Sequence, residues 1–283
     1  MKYFEVNFSI DGNEESADLL ASMLGDIGFE AFENSCNTLK GYIQRHLFSE
    51  ELLHETVSDF PFPDTKITYT ICEVEDKNWN QTWEDEGFQP IVIGNQCVVH
   101  DGRHLPDCPF PIQIEIDAKQ AFGTGTHETT RLMIGRLLQE ELHGKRILDC
   151  GCGTGILSIA AAKSGADHIT AYDIDEWSVD NTRHNAVLNH ADQLICVHHG
   201  DVSVLDDISG TFDLIMANIN RNILLNDMPA IRKKLGKGSK LLLSGFYEED
   251  IAMLNDKASS LQMEMIDTTT DNRWAMATFI ALE

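Results

Sequence analysis

Basic residues are scarce. The 283-residue chain carries 21 Lys and Arg against 46 Asp and Glu, a formal net charge of −25. Nucleic-acid binders neutralise phosphates with clustered Lys and Arg. No such cluster stands out here, so direct nucleic-acid binding is not expected. A strongly basic protein is the partner such a charge attracts. Long apolar runs are also missing. None reaches the length that spans a bilayer, and residues 1–10 alternate like a strand without the apolar core of a signal peptide. A cytoplasmic location with no membrane partner follows. The seven cysteines (Cys36, Cys72, Cys97, Cys108, Cys150, Cys152 and Cys196) lack paired spacing. An odd, scattered set fits a reducing compartment better than a disulfide framework. No second Cys/His pair at zinc spacing joins Cys150 and Cys152, so no metal is expected and all seven read as packing residues.

What is present is that of an ordinary globular protein: 42% hydrophobic and 24% charged residues, enough for one large or two ordinary domains. Residues 1–74 read as a small domain. Phe4, Val6, Phe8 and Ile10 alternate as a strand, and Ala17, Leu20, Leu24 and Ile27 recur at helical spacing up to Gly28. Short strands at 29–33 and 39–43, a helix from Ser49 through Val57 and a strand at 67–74 complete a β-α-β-β-α-β order, which is ferredoxin-like. That fold also houses RNA-recognition modules. Lys40-Gly41-Tyr42 resembles the start of their stacking motif, but Gln44 stands where the next aromatic belongs. Protein docking is the better expectation. Residues 75–88 hold Trp79 and Trp83 at i,i+4 spacing and read as a helical connector.

Residues 89–283 form the second domain. A hairpin at 91–99 and a strand at 112–116 come first, then strands and helices alternate. Strand candidates at 146–150, 168–173, 194–199, 212–217, 239–244, 262–267 and 274–281 make a seven-stranded, doubly wound Rossmann-like α/β sheet. The last two, separated by a Thr/Asp loop, are expected to pair antiparallel.

The chemistry concentrates at Asp149-Cys150-Gly151-Cys152-Gly153-Thr154-Gly155, a buried strand that turns through three glycines into a helix. Glycines let the backbone approach a ligand, and the helix start offers free amides. A dinucleotide fingerprint needs its third Gly at the sixth position, which here is Ile156. Gly-x-Gly-x-Gly after an acid resembles motif I of class I S-adenosylmethionine-dependent methyltransferases instead. Asp173, at the end of the next strand, suits the two ribose hydroxyls. Asp201 is placed to accept from the adenine amine, although a solvated loop Asp is an equal reading. Asn218 ends a strongly apolar strand, where a polar residue faces the site or caps a helix. A loop, Phe122-Gly123-Thr124-Gly125-Thr126-His127-Glu128-Thr129-Thr130, is not a P-loop, since no Gly-Lys-Ser/Thr closes it. Thr126 is placed to cap the helix that follows, running to His143-Gly144.

With motif I and Ala217-Asn218-Ile219, that loop resembles the ribosomal protein L11 methyltransferase family, over essentially the whole chain. Ser244-Gly245 and Trp274 fit as well. The resemblance implies cofactor contacts at Thr130, Gly151, Asp173 and Asn218, beside the Asp149, Gly153, Gly155 and Asp201 of the motif reading. It implies an N-terminal domain that recognises the basic ribosomal protein and swings to present several amines, and methyl transfer to lysine side chains and an α-amine. A monomer is the default. Asn218 and, less firmly, His127 are the candidates for orienting the amine; a loop His is more often structural. An RNA or small-molecule methyltransferase, or a non-catalytic binding protein, are the alternatives. The acid excess speaks against the RNA version, and the intact glycines and Asp173 against the last.

Overall fold

The computed structural model describes residues 3–11, 15–35, 38–45, 47–58, 60–62, 65–74, 87–117 and 123–282. The helical reading of 75–88, with both tryptophans, lies almost entirely outside the described residues, as do Ala121 and Phe122. The chain divides into two compact units, Met1–Trp79 and Asn80–Glu283.

In the first unit the order is β1 (Tyr3–Asp11), α1 (Glu15–Asp26), β2 (Phe29–Ser35), β3 (Thr38–Gln44), α2 (Glu50–Ser58) and β4 (Lys66–Val74). The strands form one antiparallel sheet in the order β2-β3-β1-β4. Alternation sends Val6, Phe8 and Ile10 to one face, where Leu20 and Leu24 of α1 and Leu53 of α2 cover them. Tyr42 is not a free stacking platform: its hydroxyl donates to Glu5 Oε2 at 3.1 Å.

The second unit opens with β5 (Ile91–Ile93), β6 (Cys97–His100) and β7 (Ile112–Glu115), a three-stranded sheet. Then follow α3 (Glu128–Leu137), β8 (Arg146–Cys150), α4 (Ile156–Lys163), β9 (His168–Asp173), α5 (Glu176–Leu188), β10 (Ile195–His199), α6 (Val204–Asp207), β11 (Phe212–Asn218), α7 (Arg221–Arg232), β12 (Leu235–Tyr247), α8 (Ile251–Ser260), β13 (Met263–Asp271) and β14 (Trp274–Ala281). Seven strands share one sheet in the order β10-β9-β8-β11-β12-β14-β13. The five from β10 to β12 run parallel, and β14 and β13 are antiparallel to their neighbours. Separate apolar clusters cover the two faces, one with α3, α4 and α5, the other with α7 and α8. From β8 the chain winds outward through β9 and β10, then returns to lay β11 on the other side. This reversal opens a crevice at the carboxyl ends of β8 and β11, where ligands of such sheets bind.

Two local expectations are corrected. Thr126 does not cap α3. Its hydroxyl bonds Thr124 Oγ1 at 2.8 Å, and the cap is His127, whose ring accepts from the Thr129 amide. The helix also ends at Leu137, well before Gly144. The Thr/Asp segment before Trp274 is strand, not loop: β13 runs through it to Asp271, as suits β-branched threonines. The turn is Asn272-Arg273, both at positive φ (47° and 69°), which is the geometry a two-residue hairpin requires.

Candidate active site

The crevice holds a cavity of about 530 Å³, within the range of small-molecule sites. Gly151, Gly153, Asp173, Asp201, Asn218 and His127 all line it. The glycine loop leaves β8 with φ of 71°, 56° and 80° at Gly151, Gly153 and Gly155, a region other residues enter only at a cost. The Gly151 and Cys152 amides donate to the Tyr172 carbonyl at 2.9 and 3.1 Å, tying the loop to β9. Asp173 completes the tie. Its Oδ2 accepts from the Gly153 amide at 2.9 Å and its Oδ1 from the Asp175 amide at 3.0 Å. Each oxygen keeps a second lone pair, as a grip on two hydroxyls requires.

Ile219 is wedged beside this loop. A Cβ on Gly151 would stand 2.4 Å from its Cγ2, and one on Gly245 would stand 2.4 Å from its carbonyl oxygen. The two glycines thus set where Asn218 sits. Its Nδ2 lies 3.5 Å from Thr130 Oγ1, while its Oδ1 is buried with no hydrogen-bond partner. A buried acceptor left unpaired is costly. Asn218 lines the cavity, so a donor that arrives with a ligand can complete it.

At the mouth, His127 Nδ1 accepts from the Thr129 amide at 3.3 Å and lies 2.9 Å from Thr129 Oγ1. Its ring meets Trp274 edge-on at 4.7 Å, and Trp274 packs on Tyr247 at 4.2 Å. With Nδ1 so engaged, the ring stands as a wall at the mouth.

Three expected contacts lie off the wall. Thr130 is fully buried behind Asn218, and Gly155 abuts Thr182. Asp149 does not line the cavity either. Its Oδ2 accepts from the Ser158 amide and hydroxyl at 3.1 and 2.7 Å, so it braces the start of α4 from behind. Burial pushes its carboxyl up to about 6, against the help of Ser158. Burial likewise raises the thiols of Cys150 and Cys152, leaving both inert inside the loop.

Sequence reasoning missed Tyr172, Ile223 and Asp227, all of which line the cavity. Only Asp227 left a signal. It falls in register with Leu224, Met228 and Ile231 on the buried stripe of α7, where an acid is out of place.

Comparison with known proteins decides the family. The family model for ribosomal protein L11 methyltransferase (PrmA) matches residues 20–281. The chain belongs to the ribosomal protein L11 methyltransferase family. A ribosomal protein L11 methyltransferase of Phocaeicola vulgatus is 47% identical over 281 residues, 99% of each chain. That of Porphyromonas gingivalis is 44% identical over 285 residues, covering 99% of this chain and 98% of its own. Among solved structures, a ribosomal protein L11 methylase from Lactobacillus delbrueckii subsp. bulgaricus superposes with a TM-score of 0.63 at 26% identity. That match covers 69% of this chain and 100% of the other. Members of the L11 methyltransferase family draw their methyl group from S-adenosylmethionine. The unpaired Asn218 oxygen, the glycine cradle and the doubly anchored Asp173 fit that cofactor.

Proposed function

We propose that this protein transfers methyl groups from S-adenosylmethionine to lysine side-chain and N-terminal α-amines of ribosomal protein L11. The observation that carries the reading is one cavity joining a glycine cradle, a ribose-ready Asp173 and an unsatisfied Asn218 oxygen, in a chain of this family. Gly151 and Gly153 would hold the methionine end, Asp173 the ribose, and Ile174 and Val202 the flanks of the nucleobase. Asp201 sits at the nucleobase end, one oxygen already engaged by the Ser203 amide at 2.9 Å. Thr130 acts through Asn218, whose Nδ2 it faces. Asp149 and Gly155 act from behind, by fixing the loop.

Bound there, S-adenosylmethionine supplies a methyl group already activated on a sulfonium, so the reading includes no metal. Asn218 Oδ1 accepts an N–H of the incoming amine and aims its lone pair. The amine must first be neutral, which at pH 7 costs a free lysine about 5 kcal/mol and an α-amine about 1 kcal/mol. The apolar mouth of Trp274, Tyr247 and Ile223 lowers the lysine cost by disfavouring the charged form. His127 walls the mouth and orients, and positioning carries most of the rate.

The β-α-β-β-α-β order and the sheet order of the first unit support a ferredoxin-like reading of residues 1–74. We assign that unit to recognition of the basic ribosomal protein, residues 75–88 to the link and residues 89–283 to catalysis. The enzyme acts as a cytoplasmic monomer without contacting nucleic acid. Among the described residues no helix is long and apolar enough to cross a membrane. Intact-mass spectrometry of purified L11 after incubation with enzyme and cofactor tests the reading. A ladder of methyl increments supports it. No increments while the cofactor still binds would sink the substrate assignment.

A further inference from the structure

The amine end of the cavity draws on one stretch of chain. His127 and Thr129 line it, and Thr130 lies behind, with its Oγ1 3.5 Å from Asn218 Nδ2. Just before them Gly123, Thr124 and Gly125 are buried. A Cβ on Gly125 would stand 3.4 Å from side-chain atoms of Ile91, Val99 and Ile156 alike. The Gly123 carbonyl accepts from the Thr154 hydroxyl at 2.5 Å. Thr154 is fully buried and stands inside the glycine loop, between Gly153 and Gly155. One side chain thus joins the loop assigned to the cofactor to the stretch that carries the amine-end residues.

The glycine loop is itself fixed from α5. The Gly153 carbonyl accepts from Thr182 Oγ1 and the Thr154 carbonyl from Asn185 Nδ2, both at 2.9 Å. Asn185 Oδ1 also accepts from the Asp117 amide at 2.9 Å, and Asn181 Nδ2, one turn earlier, donates to the Asp117 carbonyl at 2.8 Å. Both asparagines are buried. Thr154 is therefore held in a firm frame and reaches out of it to Gly123. It is not on the cavity wall. Packing volume alone would be met by valine at this position. What only a hydroxyl adds is a donor to a buried carbonyl, a group that is costly to leave bare.

We propose that Thr154 is a positioning residue for methyl transfer: its hydroxyl registers residues 123–130 on the cofactor loop and so sets the amine against the methyl group. The proposal rests on the assignment of this cavity to S-adenosylmethionine and an amine. A misplacement of about 1 Å at such a distance from the chemistry costs on the order of 100-fold in rate. Loss of the hydroxyl frees the 123–130 stretch while Thr182 and Asn185 still hold the glycine backbone. The turnover step should then suffer, and binding of the cofactor and of the protein substrate should not.

Initial rates of methyl transfer to purified L11, with calorimetry of S-adenosylhomocysteine, test this in Thr154→Val and Thr154→Ser. Valine keeps the shape and removes the donor, whereas serine keeps the donor and drops a methyl group. Thr154→Val should lower kcat about 10–100-fold, with KM for L11 and Kd for S-adenosylhomocysteine near wild type. Thr154→Ser should recover most of kcat. Wild-type kcat in Thr154→Val, a Thr154→Ser as slow as Thr154→Val, or a cofactor affinity that falls as far as kcat overturns the proposal. A wild type that binds no S-adenosylhomocysteine, or methylates no L11, would instead overturn the reading beneath it. If Thr154→Val melts below the assay temperature, Thr154→Cys carries the comparison with a thiol, a far weaker donor, and wild-type kcat there overturns the proposal equally.

Discussion

Replacing Gly245 by alanine tests whether the Ile219 wedge sets the site, and Gly238 on the same strand is its control. Both glycines lie in β12 with positive φ, +93° and +80°. Alanine pays about 1–2 kcal/mol for that conformation wherever it sits. At Gly238 nothing lies within 4 Å of the new Cβ, so the cost ends there. At Gly245 the Cβ would stand 2.4, 2.8 and 2.9 Å from the Ile219 carbonyl oxygen, carbonyl carbon and nitrogen. Relief takes a backbone shift of roughly 1 Å, and overpacking of this kind adds about 1–3 kcal/mol. Ile219 cannot yield freely, because its side chain already crowds Gly151. The Gly245→Ala protein should therefore melt about 4–20 °C low and the Gly238→Ala protein about 2–8 °C low. The same shift displaces Asn218. Binding of S-adenosylhomocysteine, read by calorimetry, should weaken at least about tenfold in Gly245→Ala and stay near wild type in Gly238→Ala. Equal melting points and equal affinities in the two variants would refute the wedge.

Three further outcomes follow from the site. Asp173→Ala should weaken S-adenosylhomocysteine on the order of 100-fold by calorimetry, and wild-type affinity would remove Asp173 from the ribose. Asp149 carries a pH signature. Its carboxyl rises from the ordinary 3.8 to about 6 on folding, so the folded state holds the proton more tightly and stability falls as pH rises through that window. The full loss is about 3 kcal/mol, of which about 1 kcal/mol lies between pH 5 and 7. Urea unfolding of Asp149→Asn should lack that share of the slope, and parallel curves would contradict the burial argument. His127→Ala should cost about 1 kcal/mol through the lost cap, largely restored by His127→Asn, with the pH profile of kcat/KM unmoved in both. A profile that loses a limb would make His127 the base after all.

Features that act through local backbone geometry could be read from the chain. The glycine triplet and Asp173 are such features, because a tight turn and a strand end are written in consecutive residues. The strand series was legible for the same reason, since period-two alternation and apolar runs are local. Asp149 shows the limit. Motif spacing placed it at the loop, but which side of the loop its carboxylate faces depends on Ser158 and the packing of α4. The cap of α3 was misassigned because the Thr124 hydroxyl captured Thr126 and left the role to His127. Threonines and aspartates look like loop residues until the positive φ of Asn272 and Arg273 shows where the turn lies. Tyr172, Val202 and Asp227 share one cavity only because β9, the turn after β10 and α7 converge, and nothing in a linear sequence joins them.

The mouth also bears on how the enzyme comes into being. Its two sides come from distant parts of the chain: Trp274 meets His127, and Asn272 donates to Glu128 across 144 residues. The glycine loop, by contrast, depends on Tyr172 and Asp173 close by in sequence. Short-range contacts form early and distant ones late. On refolding, helix signal and the cofactor cradle are expected to return before the Trp274 wall. The enzyme would then regain its grip on the cofactor before it can take an amine, and on warming it would lose these abilities in the reverse order.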